Sequence, residues 1–214
     1  MAAEAPSRDD LGRALLEAAR VGDAAQAARV LAAGAPLGSV NKGRWTAMDI
    51  ACQAGHTSVA TLLLDRGAKL ERRNFERPSA LLNAAWYGHT ELCRTLLDRG
   101  ADVDATDNGG KTALFLAVWA RSVELVELLL ERGAKADSAD DDGNTALILA
   151  CEEGHAGIVR RLLEHGADVE ATTKMGRDAA WWSDDHSCTE MLQDAERIQR
   201  WHRRRLLATW WLGH

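Results

Sequence analysis

Three features of the 214-residue sequence predict an all-α fold, a solenoid of stacked helix–turn–helix units with short β-hairpin loops and a C-terminal extension helix. A Gly-Ala pair recurs at Gly34-Ala35, Gly67-Ala68, Gly100-Ala101, Gly133-Ala134 and Gly166-Ala167, always 33 residues apart. A second landmark keeps that phase: a hydroxyl residue, an Ala, and a further Ala four residues on, at Thr46-Ala47-Ala51, Ser79-Ala80-Ala84, Thr112-Ala113-Ala117 and Thr145-Ala146-Ala150. Between the landmarks, apolar residues recur at helical rather than strand spacing.

The stretch from Thr112 to Gly133 shows how each element is specified. Thr112 can cap a short first helix through its hydroxyl, as can Thr46, Ser79 and Thr145 in their repeats. Ala113, Leu114 and Ala117 then form an apolar face whose small residues permit close helix contact. Val123, Leu125, Val126, Leu129 and Leu130 repeat at helical spacing on a second helix. Gly133 follows, where a left-handed residue stops the helix at no steric cost. One such hairpin cannot bury its apolar face alone, so neighbouring repeats must supply the core.

This period, with the Thr-Ala and Gly-Ala-Asp landmarks, resembles the ankyrin repeat, and the resemblance spans about residues 10–196. The resemblance implies a β-turn and two antiparallel helices per unit. The reading divides the chain into a leader (1–9), an N-terminal capping repeat (10–38), four repeats (39–71, 72–104, 105–137, 138–170), a degenerate C-terminal cap (171–196) and a basic, Trp-rich tail helix (197–214). Departures from the family pattern are plain. The usual Pro after Thr is Ala47, Ala80, Ala113 or Ala146, and the usual His is Asp49, Leu82, Phe115 or Ile148. Gly-His stands at Gly55-His56, Gly88-His89 and Gly154-His155 but becomes Arg121-Ser122 in the fourth repeat.

Composition limits the function classes. The net charge of −6 argues against a general nucleic-acid binder. The imbalance is local: residues 197–214 hold five Arg and no acid, which leaves residues 1–196 at −11. The opening MAAEAPSRDD lacks the order of a secretory signal, and no apolar run approaches the roughly 18 residues that cross a bilayer. Four Cys without a paired framework fit a reducing compartment, so the expected location is cytoplasmic or nuclear.

Motifs that could suggest chemistry are absorbed by the repeat. Gly109-Gly110-Lys111-Thr112 lacks the first Gly of a phosphate loop, where Ala105 stands, and Gly110, Gly143 and Gly176 share one hairpin position. Imidazoles in adjacent repeats lie ~8–10 Å apart, too far to share a metal, so their expected role is helix-connecting hydrogen bonds. Cys52, Cys93, Cys151 and Cys188 read as small packing residues, because no Cys/His pair comes with an orienting third group. No catalytic residue, cofactor or metal is expected.

What remains points to a partner. In the family, partners meet the hairpin tips and the residues just after the first-helix motif, on the concave face; the resemblance therefore implies partner-binding roles for Trp45, Phe75, Trp86, Tyr87, Lys111, Trp119, Asp141, Glu152 and Glu153. Trp86 and Trp119 are one period apart, which predicts a continuous aromatic strip with Tyr87 and Trp45. Large rings are enriched where protein contacts carry most energy, whereas the competing reading has them filling grooves between first helices, as Phe115 does. Lys42, Arg44, Arg72, Arg73 and Arg77 mark the second and third hairpins, and Asp137, Asp140, Asp141 and Asp142 the fifth. That bipolar edge could orient a partner.

In the tail, Trp201, Arg203, Arg204, Arg205, Trp210 and Trp211 suit docking on a partner or on the last repeat, with an anionic membrane surface as the weaker alternative. The predicted function is a non-catalytic protein-binding module, an adaptor, scaffold or inhibitor, monomeric apart from its partner. The alternative is a structural subunit held permanently in a large assembly through that tail.

Overall fold

The computed structural model describes residues 6–70 and 78–195. Its elements fall into two compact units, residues 1–108 and 109–214. No described helix is long and apolar enough to cross a membrane.

The first unit contains α1 (Arg8–Val21), α2 (Ala24–Ala32), α3 (Ala47–Ala54), α4 (Thr57–Asp65), α5 (Ala80–Trp86) and α6 (Thr90–Asp98). They form three antiparallel pairs. α3 packs between α1 and α5, and α4 between α2 and α6, so first helices make one layer and second helices another. Ser7 and Thr46 each form a reciprocal capping box, with Asp10 and Asp49, satisfying amides that a helix start leaves unpaired. Ser79 caps α5. The core between the layers is Ala and Leu: Ala51, Leu63, Leu81, Leu82, Leu92 and Leu96 are all at most 1% exposed. Asn83, a buried polar residue, donates from its amide to the Asp49 carbonyl at 3.0 Å and so ties α5 to α3. At the surface, Arg99 meets Asp65 at 2.8 Å and ties the second helices.

The second unit contains α7 (Ala113–Trp119), α8 (Val123–Glu131), α9 (Ala146–Glu152), α10 (Ala156–Glu164) and the single-turn α11 (Ala179–Trp182), followed by helical residues 186–195. α9 packs between α7 and α11, and α8 against α10. Thr112 and Thr145 cap α7 and α9, as their positions predict. The hairpins are minimal: one antiparallel bridge joins Ala139 to Thr145, and its counterpart in the first unit joins Val40 to Thr46. Neighbouring hairpins are linked by backbone bonds, Asp141 N to Gly109 O at 2.8 Å and Lys174 N to Asp142 O at 2.9 Å.

The turn between first and second helices is where the repeats differ. Gly22, Gly55, Gly88 and Gly154 all hold positive φ at this register, and Arg121 holds φ 58 in the same place. Arg44, with φ 62, likewise stands in the hairpin register of Gly110, Gly143 and Gly176. These two arginines are the only positive-φ residues other than Gly among the described residues. An L side chain there costs roughly 1–2 kcal/mol.

The Gly position is also a seat for the next imidazole. A Cβ on Gly22 would lie 2.7 Å from His56 Nδ1, and one on Gly55 would lie 2.7 Å from His89 Nδ1 and Cε1. Seated there, His56 donates from Nε2 to the Arg20 carbonyl at 3.2 Å, and His89 to that of Gln53 at 2.9 Å. The histidines therefore join consecutive repeats, in the role the sequence predicts.

Candidate functional site

The residues expected to contact a partner occupy two kinds of position, the ends of first helices and the hairpins. In the first unit, Trp86 closes α5 and Tyr87 is its C-cap; they are 44% and 45% exposed. Their exposure is a consequence of helix geometry. α5 turns its Ala and Leu side chains into the core, and its last residues emerge beyond the packed layer. Trp45 instead lies half-buried in the hairpin before α3, where its amide donates to Asn41 Oδ1 at 3.0 Å. Phe75 falls outside the described residues, as do Arg72, Arg73 and Arg77.

Tyr87 is held from two sides. Its hydroxyl accepts from Gln53 Nε2 at 3.0 Å, and its ring stacks on His89 with centroids 6.1 Å apart and planes 19° from parallel. His89 in turn is tied to the Gln53 carbonyl. One residue of the preceding repeat therefore fixes both the imidazole and the phenol above it. An exposed ring immobilised in advance loses little rotamer entropy when a partner covers it. Gln53 is thus a support for the site.

In the second unit, Trp119 closes α7 and is 53% exposed, while Glu152 closes α9 and Glu153 is its C-cap, both exposed. Lys111 and Asp141 stand in hairpins. The Lys111 ammonium lies 5.7 Å from the centroid of the Phe115 ring, which is itself buried. The acidic hairpin has internal order. Asp140 Oδ1 accepts from the amides of Asp142 and Asn144, at 2.9 and 2.8 Å, and Asp137 Oδ1 accepts from the amide of Asp168 at 2.7 Å. Asp140 thus builds its turn and Asp137 joins the next repeat, while Asp141 and Asp142 are exposed at the tip.

The fourth-repeat turn changes the local electrostatics. With Arg121 in place of Gly, its guanidinium donates to His155 Nδ1 at 3.2 Å, and Nε2 is left buried with no partner. Burial, and then the adjacent positive charge, lower the His155 pKa, with Glu153 opposing. Ser122, in the place of the usual His, accepts from the Leu125 amide at 3.2 Å and caps α8, which His56 and His89 do not do for α4 and α6.

Cys52, Cys93, Cys151 and Cys188 are buried free thiols, and desolvation raises all four, Cys93 and Cys151 to about 12 and Cys188 to about 11. A thiol so raised is a packing group and a poor nucleophile. Among the described residues no cluster of three or more His, Cys, Asp or Glu could hold a metal ion. Two residues that the sequence reading placed only in the C-terminal cap stand out: Trp181, 57% exposed, and Arg177, whose guanidinium lies 3.8 Å above the Trp181 ring. The 33-residue register makes them the counterparts of Phe115 and Lys111, a signal that was available. The tail residues Trp201, Arg203, Arg204, Arg205, Trp210 and Trp211 lie outside the described residues.

Family comparisons agree with this geometry. The family described as ankyrin repeats in three copies matches residues 68–140, and the single ankyrin repeat matches 43–75 and 142–174. The chain belongs to the ankyrin repeat family. Its structure is similar to the crystal structure of the ankyrin repeat domain of Bcl-3, a member of the IkappaB protein family, with TM-score 0.76 and 29% identity over 84% of this chain and 81% of that one. No curated protein matches the sequence. Ankyrin repeat domains are generally protein–protein interaction modules, and their fold is typically non-catalytic.

Proposed function

We propose that this ankyrin repeat protein is a non-catalytic adaptor, scaffold or inhibitor that binds a protein partner through the ends of its first helices and its hairpins. Trp86, Tyr87 and Trp119 supply the apolar anchors. Trp45 adds a further aromatic contact in the first unit, and Lys111, Asp141, Glu152 and Glu153 add polar contacts in the second, with a contact role also proposed for Phe75 from its place in the repeat. The observation that carries this reading is the preorganised Tyr87, exposed yet fixed by Gln53 and stacked on His89. Such a ring has no packing function that requires its exposure, and rigid exposed aromatics are what binding hot spots are made of. The partner acts in the cytoplasm or nucleus, and the chain is otherwise monomeric.

The test is partner capture from native extract with full-length protein, followed by titration of the captured partner against Trp86→Ala and Trp119→Ala. Loss of affinity with an unchanged melting temperature supports the reading. Unchanged affinity for both variants overturns it.

A further inference from the structure

The last repeat-like unit leaves uncovered a position that every preceding repeat closes. Counting back from Trp181 in steps of 33 gives Ile148, Phe115, Leu82 and Asp49, which are 1%, 5%, 0% and 7% exposed, whereas Trp181 is 57% exposed. The hairpin residue of the same unit, Met175, is 79% exposed. Trp181 is not loosely placed: Trp182 meets it edge-on with centroids 4.7 Å apart, and Arg177 lies above its ring. The indole N–H of Trp182 is buried and meets no acceptor among the described residues. An exposed aromatic ring held in the register of an inter-repeat contact is a surface prepared for one more layer.

We propose that residues 197–214 of this same chain cover that surface, over Trp181, in place of a further repeat. Two observations select this occupant. Residues 174–195 contain Asp178, Asp184, Asp185, Glu190 and Asp194 against Lys174 and Arg177, a net charge of −3, whereas 197–214 contain five Arg with no acid. The charges are complementary, and such attraction acts within a Debye length of ~8 Å at physiological ionic strength. Reach is ample: the 19 residues that follow Ala195 can extend about 60 Å, and the seven-residue first helix of a repeat occupies only ~10 Å. The segment brings Trp201, Trp210 and Trp211 as apolar cover. This docking is independent of the partner surface proposed above.

The experiment is photo-crosslinking in the full chain, with p-benzoylphenylalanine replacing Trp181 in one variant, Met175 in a second and Trp119 in a third as control. Helical content by circular dichroism certifies each fold, and the Met175 probe reads the same face if the Trp181 variant fails to fold. The expected result is a crosslink from 181 or 175 into residues 197–214 at monomer mass, absent from 119. Yield should drop at least threefold when Arg203, Arg204 and Arg205 are changed to Glu, or in 1 M salt. Crosslinks at dimer mass would assign the face to a second copy and overturn the proposal. So would crosslinks that never enter 197–214, or a tail crosslink that appears equally from position 119.

Discussion

The Arg121 guanidinium donates to Nδ1 of His155 at 3.2 Å, in a register where the earlier repeats seat an imidazole directly on a glycine. The substitution has three linked effects. Arg121 adopts a left-handed backbone, His155 loses the carbonyl acceptor that His89 has in Gln53, and a positive charge faces the imidazole.

Arg121→Gly should therefore stabilise the protein by ~0.5–1 kcal/mol, the relieved strain exceeding the added freedom of the unfolded chain. The freed His155 Nε2 should then reach the carbonyl of Trp119, the counterpart of Gln53 two periods on. Urea unfolding at neutral pH measures the gain, and a lowered midpoint would show that Arg121 makes a compensating contact of its own.

Burial of His155, with the Arg121 charge adding to it, makes stability depend on pH. The folded-state pKa of His155 is lowered, so below about 6.5 the unfolded chain binds the proton more readily than the native one. Stability should decrease as pH falls through that value and level off below the folded pKa. In Arg121→Gly that acid slope should be shallower. Equal slopes in the two proteins between pH 7 and 5 would contradict the assignment to Arg121.

Gly55 and Gly100 separate steric from conformational cost. Both have positive φ, but a Cβ on Gly100 meets nothing within 4 Å, while one on Gly55 collides with the His89 ring. Gly100→Ala should cost ~1 kcal/mol from the backbone alone, and Gly100→Val more because it is β-branched. Gly55→Ala should cost a further ~1–3 kcal/mol as the imidazole is displaced. Its effect should extend to Tyr87, which stacks on that imidazole, and tyrosine fluorescence or chemical shifts can follow it. A Gly55→Ala cost no greater than that of Gly100→Ala would remove the seat from the account.

The four thiols should be unreactive in the native state. With Cys93 and Cys151 raised to about 12, alkylation by iodoacetamide at pH 8 should be slow, and fast once urea unfolds the chain. Because all four are free, reductant should leave the melting temperature unchanged. Rapid native labelling of Cys93 would show that the core opens locally.

The repeat was legible because its signals are local and redundant. Thr112, Thr145 and Ser79 cap the helices their positions predict, and the Gly-Ala pairs end the second helices. Less legible were relationships that join residues about one period apart. The Gly-His motif was visible as a pair, but its working partner is the histidine of the next repeat, with Gly55 beneath His89. The support that Gln53 gives Tyr87 was not legible, because nothing in its own repeat shows that the ring of the next one lies over it. Arg44 passed unnoticed among the basic residues, although its register is that of Gly110. The exposure of Trp181 follows from where the regular repeats stop, a property of the stack and not of the tetrapeptide that contains it.

Whether the exposed rings at first-helix ends are contact anchors or packing is decided most directly by measuring partner affinity and melting temperature on the same two variants, Trp86→Ala and Trp119→Ala. Each should lose ~2 kcal/mol of binding, about thirtyfold, while the melting temperature stays within a few degrees of the parent. Glu152→Ala, at the equivalent helix end, should matter much less, because exposed polar positions contribute little. A fall in melting temperature with unchanged affinity per folded molecule would contradict the account, and would make these indoles part of the repeat packing.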